Sequence, residues 1–372
     1  MDKKRNREAL KTDRTPIRVG ISIGDINGIG PEVIIKALQN KEILHDCTPV
    51  IYGSTKTMSY HKKAIQSTED DLFNFLRIED AAEAKTNKVN IVACWDEVVE
   101  MNLGEANKTG GKYAFLSLEK ATEDLAAGKI DVLVTAPISK ETIHAAGFQF
   151  PGHTEYLADL SGKEEALMMM VSGNLRVGLV TSHIPLKQVP EEINAEKVLK
   201  KIQEFNKSLK KDFGIVRPKI AVLGLNPHAG EKGQMGTEES ENITPAIQKA
   251  MEEGIITFGP YPADGFFGSR QYADFDGVLS MYHDQGLTGF KSLAFDDGVN
   301  FTAGLPIVRT SPDHGTAFDI AGKGKAEEQS MRSAIYLAVD IFRTRQFIKE
   351  INEDPLPINK NRDRKTSTKR RE

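Results

Sequence analysis

Three of the eight histidines recur at one position in the hydrophobic pattern. The apolar runs 177–182, 220–227 and 277–282 lead directly into His183, His228 and His283. Each histidine therefore falls just past the C-terminal end of an expected strand, where open parallel sheets bind ligands. Neutral imidazoles suit a divalent cation such as Zn2+, and three of them leave a coordination position for a substrate oxygen. The chemistry there would be Lewis-acid polarisation of a hydroxyl or carbonyl group. Spacings this long are no metal signature by themselves. Three loop histidines with separate hydrogen-bond partners would give the same pattern.

Other residues suit anions. In FPGHTEYL (150–157) His153 and Thr154 stand where a helix begins, and helix N-termini attract phosphate; Thr154 could equally be an ordinary N-cap. Lys291, Asn300 and Arg309 follow His283 within one stretch. Entering one pocket they would clamp a phosphate and a carboxylate; apart, they are surface charges. The loop 24–30 has glycines in a GxxxGxG spacing, unlike the GxGxxG dinucleotide fingerprint, and no suitable acidic residue ends the following strand. It reads as a structural strand-to-helix turn. The segment 313–324 (DHGTAFDIAGKG) is glycine-rich and carries His314 and carboxylates. Such a loop can wrap an adenosine through backbone groups, or be a plain surface turn.

The elements that must position these groups alternate along the chain. Strands are expected at 17–23, 50–52, 89–93, 130–135, 175–181, 219–225, 277–281 and 299–302. Helices are expected from 31 to 39 and over 109–127, 192–210, 244–254 and 327–349. This is an α/β pattern, with a largely parallel sheet covered by helices. No repeat or linker is visible, so two lobes must interweave or share the sheet.

Charge separates the ends from the body. Residues 1–18 carry a net +4 and residues 359–372 a net +5, which leaves about −13 for the rest of a chain of net −4. The basic ends read as solvated tails (1–15 and 353–372) around one catalytic unit, 16–352, and the acidic body argues against nucleic acid. The N-terminal residues lack the apolar core of a signal peptide, and no apolar run nears the ~20 residues that span a bilayer. Two cysteines, Cys47 and Cys94, are too few for a disulfide framework. A cytoplasmic protein without a membrane partner is expected.

The ordered segments GDINGIGPE (24–32), VTAPISK (134–140), FPGHTEYL (150–157), TSHIP (181–185), LNPHAG (225–230), GPYPADGFF (259–267) and MYHDQGLTGFK (281–291), with 299–305 and 309–322, resemble the 4-hydroxythreonine-4-phosphate dehydrogenase family. The likeness covers nearly the whole chain between the tails. The 314–324 loop is also similar to the HGSAPDIAGKG cofactor loop of isopropylmalate and isocitrate dehydrogenases. The resemblance implies their fold, two interwoven α/β lobes with a cleft between them. It implies a homodimer in which His183, His228 and His283, drawn from both subunits, hold a divalent cation (Zn2+, Mg2+ or Co2+). His153, Thr154, Lys291, Asn300 and Arg309 match substrate-binding positions, and His314, Gly315, Thr316, Asp319 and Gly322 match the loop that meets NAD or NADP. The three histidines with Lys291 and Asp264 form the expected catalytic set, Asp264 having the least defined role.

The implied reaction oxidises 4-hydroxythreonine 4-phosphate to 2-amino-3-oxo-4-(phosphooxy)butanoate. Loss of CO2 then gives 3-amino-2-oxopropyl phosphate, on the way to pyridoxal 5'-phosphate (vitamin B6). Ile26 and Asn27 depart from the family's GDPAGIGPE. The same motifs would serve a dehydrogenase of 4-phosphothreonate or 4-phosphoerythronate. A metal-dependent aldolase or hydrolase would use the histidines and the anion clamp but have no need of the 314–324 loop.

Overall fold

Aliphatic and β-branched runs, bounded by glycine and polar turns, pair into one twelve-stranded sheet. The computed structural model describes residues 16–65, 73–163 and 166–353; the basic tails expected at 1–15 and 353–372 lie outside them, except Glu353, which ends the helix Gln329–Glu353. The strands are β1 (Ile17–Ser22), β2 (Cys47–Gly53), β3 (Phe75–Ile78), β4 (Val89–Ala93), β5 (Val132–Thr135) and β6 (Leu167–Ser172). Then come β7 (Leu175–Leu179), β8 (Lys219–Leu223), β9 (Ile256–Tyr261), β10 (Gly277–Ser280), β11 (Val299–Ala303) and β12 (Arg309–Pro312).

Their order is β3-β4-β2-β1-β5-β12-β11-β6-β7-β10-β8-β9. The six strands from β3 to β12 run parallel, and so do β7, β10, β8 and β9. Between these blocks β11 is antiparallel to both β12 and β6, and β6 to β7. The first block takes its strands from before residue 136 and after residue 308, the second from between them. The lobes therefore interweave and share the sheet. Strands β3, β6, β9 and β12 were not expected from the sequence.

The helices cover the sheet as the apolar periodicity predicts. Lys108–Ala126 is capped by the Asn107 side chain, which accepts from Gly110 N. It ends near Gly128, whose φ of +69° suits glycine. Its Ser117 hydroxyl accepts from Ile23 N and donates to Tyr52 O, pinning the helix over β1 and β2.

The 24–30 loop is structural, as expected. Gly24 has φ +70°, and a Cβ there would run into Pro137 O. Buried Asp25 accepts from Asn27 N and from the Thr142 hydroxyl, and burial pushes its carboxyl up. Asn27, also buried, donates to Asn107 Oδ1 and accepts from Asn102 N. Ile29 N donates to Thr316 O, so this loop backs the glycine-rich 313–324 segment.

Behind the loop, His61 is fully buried and donates from Nε2 to Ile26 O at 2.8 Å, while Nδ1 has no partner among the described residues. Burial lowers its pKa from 6.5 to about 4. The unfolded chain then takes up the proton first as pH falls. The neutral ring's contribution is complete above pH ~6.5 and is lost progressively toward pH ~4, by ~3 kcal/mol. Urea midpoints at pH 7 and pH 4.5 should show this loss in the wild type and a smaller one in His61→Gln; equal losses would discard the assignment.

Among the described residues no helix is long and apolar enough to cross a membrane. Cys47 and Cys94 are free thiols.

Candidate active site

Strands β7 and β10 are parallel neighbours, and their pairing continues past the regular ladder. Val180 N donates to Ser280 O, and both Thr181 N and the Thr181 hydroxyl donate to Met281 O. Holding the two strand ends together brings the His183 and His283 rings to a centroid separation of 5.8 Å. His283 opens the helix His283–Leu293, and its Nδ1 lies 2.7 Å from Asp284 Oδ1. That contact orients the ring and leaves Nε2 for a ligand. His183 has its pKa lowered, first by burial and then by the Lys140 charge, which favours the neutral form a cation needs.

A cavity of about 280 Å³ opens beside this pair, lined by His153, Thr154, His183, Lys291, Asn300, Arg309 and His314 among others. Segments far apart in sequence thus meet in one place. Arg309, at the start of β12, is 3% exposed. Its Nε and Nη2 donate to Thr135 Oγ1 at 3.1 and 2.6 Å, and Nη1 donates to Thr302 Oγ1 at 3.1 Å. These hydroxyls satisfy hydrogens without neutralising charge, and burial lowers the guanidinium to about 10. A buried cation without a bonded counter-charge is costly unless an anion joins it.

Three buried polar atoms lining the same space have no partner among the described residues: His153 Nε2, Asn300 Oδ1 and His314 Nε2. Burial, and then the Arg309 charge, holds His153 well below its ordinary pKa. Lys291 Nζ lies 3.2 Å from Asp313 Oδ1, a carboxyl raised by burial against the pull of that lysine. The helix His153–Leu160 has Gly152 at its cap and no side-chain cap. Thr154 is therefore not the cap, and the first N–H groups lack a side-chain acceptor. Together these groups can hold a small, strongly anionic molecule against two imidazoles.

Other expected residues lie elsewhere. His228 is exposed on the loop after β8, where residues 228–232 turn left-handed. One chain brings two of the three strand-end histidines together, and no group of three His, Cys, Asp or Glu placed to hold a metal occurs among its described residues. Asp264 is exposed in the first turn of the helix Ala263–Gly268 and does not line the cavity. Of the cofactor set, His314 and Gly315 reach the cavity. Thr316 lies against the 24–30 loop and Asp319 is exposed. Gly322 (φ +71°) leaves no room for a Cβ beside Leu103. Sequence reasoning passed over Asp313, Glu155 and Lys140 in the lining, although each stands in a quoted segment, and over the hydroxyls of Thr135 and Thr302.

The family model "Pyridoxal phosphate biosynthetic protein PdxA" matches residues 45–338. A 4-hydroxythreonine-4-phosphate dehydrogenase from Bacteroides thetaiotaomicron is 50% identical over 345 residues, 92% of this chain and 94% of the relative. A relative from Oceanobacillus iheyensis, named as a candidate D-threonate 4-phosphate dehydrogenase, is 43% identical over 88% of this chain and 98% of its own. The crystal structure of 4-hydroxythreonine-4-phosphate dehydrogenase from Klebsiella pneumoniae superposes with a TM-score of 0.76 at 37% identity, covering 88% of this chain and 98% of that one. The α/β architecture is the one that crystal structure has, with the two parallel blocks as its lobes.

Proposed function

The chain belongs to the pyridoxal phosphate biosynthetic protein PdxA family, and we propose that it oxidises 4-hydroxythreonine 4-phosphate at its secondary hydroxyl, as a step of vitamin B6 synthesis in the cytoplasm. The observation that carries this reading is Arg309, a buried cation bonded, among the described residues, only to hydroxyls, in one cavity with His183. His183 and His283 of one subunit, with the partner's His228, are the cation ligands of a homodimer. When bound, NAD or NADP supplies the hydride acceptor, and a divalent cation such as Zn2+, Mg2+ or Co2+ supplies Lewis acidity.

The chain's own residues place the substrate. Arg309 and the uncapped N-terminus of His153–Leu160 take the phosphate and carboxylate charges, with Thr154 beside them. His153 Nε2, held neutral, and Asn300 Oδ1 accept or donate to the remaining polar groups. His314 and Gly315 border the cavity where the 313–324 loop meets the cofactor. Oxidation leaves a carboxylate β to a ketone, so the C–CO2 bond breaks and its electrons pass to the carbonyl as an enolate. Lys291 Nζ, which pairs with Asp313, would return a proton to C2. Desolvation by the cavity walls strengthens each charge contact.

A second reading has a specific basis in the 43% identical relative named for D-threonate 4-phosphate. The anion clamp serves that substrate equally, because it differs by a hydroxyl in place of the amine. Reduced-cofactor absorbance, followed with both substrates in the presence of a divalent cation, separates them. We expect kcat/KM at least about tenfold higher for 4-hydroxythreonine 4-phosphate, a preference of ~1.4 kcal/mol in transition-state binding. The reverse order would move the enzyme to the threonate class, and no reduction with either would overturn the reading.

A further inference from the structure

The loop that carries His228 is held in a conformation its residues do not favour. His228, Ala229, Gly230, Glu231 and Lys232 have φ values from +41° to +79°, a left-handed turn in which four residues are not glycine. L-residues resist this conformation at every step, so neighbouring structure must impose it. A buried carboxylate stands against this loop: Glu239, 4% exposed, from the helical turn that precedes the helix Thr244–Glu252. Its Oε1 accepts from Leu225 N and Asn226 N, both at 2.7 Å, and its Oε2 accepts from Asn226 Nδ2 at 3.0 Å. Asn226 Nδ2 also donates to Glu238 Oε2 at 2.7 Å.

The turn closes around this carboxylate. A Cβ on Gly224 would stand 3.1 Å from Glu239 Oε1, and one on Gly230 would stand 2.5 Å from Oε2. The base of the loop is also tied to the His283 segment: Gln285 Nε2 donates to Gly224 O at 2.6 Å, while its Oε1 accepts from Met281 N at 2.8 Å. The partners of Glu239, Leu225 and Asn226, thus lie at the base of the loop that presents His228, and its carboxylate packs against Gly230 within the turn. We propose that Glu239 is a positioning residue whose carboxylate locks the left-handed turn and thereby sets where His228 is offered to a divalent cation. This rests on His228 being a cation ligand, as argued above.

The test uses the full-length protein and Co2+ alone, read by absorption spectroscopy. Glu239→Ala should keep a cooperative melt and bind inorganic phosphate within about twofold of wild type, while Co2+ affinity falls at least about tenfold, the scale of losing a group that orients a ligand. A merely structural role would move melting and phosphate binding along with it. Wild-type Co2+ affinity in a folded Glu239→Ala would overturn the proposal. If that variant does not fold, Gly230→Ala decides the matter, because its methyl group displaces the same carboxylate: a tenfold loss supports the lock and unchanged affinity overturns it. His228→Ala, measured alongside, separates the layers. Loss in His228→Ala but not in Glu239→Ala sinks the lock alone, whereas wild-type affinity in His228→Ala sinks the ligand assignment beneath it.

Discussion

Arg309→Met is expected to raise the melting temperature of the ligand-free protein and to lower kcat/KM by about 10³-fold. The two effects have one cause. In the free protein the guanidinium is buried, bonded to the hydroxyls of Thr135 and Thr302 and, among the described residues, to no carboxylate, with only the unbonded Glu155 charge favouring it. Replacing such a charge by an apolar side chain of similar length removes a desolvation penalty, a gain of ~1–4 kcal/mol by analogy with buried ion pairs. In the proposed complex the same charge would meet the substrate's anions. Two charge-assisted hydrogen bonds at ~1.5–3 kcal/mol each account for a loss of about three orders of magnitude. Most of it should appear in KM, because phosphate and carboxylate are charged before and during the reaction.

Arg309→Lys keeps the charge without the two-pronged geometry and should fall between the two. Thermal melts without ligand, together with steady-state kinetics, check both signs. A large fall in melting temperature in Arg309→Met would make Arg309 a structural residue. An unchanged KM would remove it from the anion clamp.

The parts of the site legible in the sequence were those written as local pattern. Apolar runs ending in His183 and His283 marked two strand ends, and the structure pairs those strands as neighbours. The 109–127 periodicity matches Lys108–Ala126 to within a residue at either end. The glycines of the 24–30 loop read as structural because spacing excluded a dinucleotide fingerprint, and the close approach of Pro137 O gives the reason.

The rest depended on tertiary context. Strand β6 is methionine-rich and β12 is four residues beginning with an arginine, so neither has a strand's composition; β9 contains a Gly-Pro step. Missing β6 and β12 hid the antiparallel join between the blocks, and with it the cleft that gathers the cavity residues. Thr135 and Thr302 gave no signal, because hydroxyl residues are everywhere in such a chain. The left-handed turn at His228 was illegible in principle: His, Ala, Glu and Lys ordinarily prefer other conformations, and the carboxylate that braces the base of the loop stands eleven residues further on.

That turn decides the second large effect. His183 and His283 lie together in one chain, and His228 of the same chain points to no third place beside them. If a second copy supplies His228, each His→Ala variant alone should lose activity almost completely. Mixtures should then obey a strict pairing rule. A dimer of one His183→Ala and one His228→Ala chain keeps one complete set: both local histidines from the second chain and the remote one from the first. A dimer of His183→Ala with His283→Ala keeps none, because each chain spoils its own local pair.

Co-expressing equal amounts of two differently tagged variants, and assaying cofactor reduction, measures this directly. The account predicts roughly a quarter of wild-type activity for the His183→Ala and His228→Ala mixture, since half the two-fold dimers are mixed and each has one working site of two. It predicts background for the His183→Ala and His283→Ala mixture. Background in the first mixture, or recovery in the second, would contradict a site built from two local histidines and one from the partner.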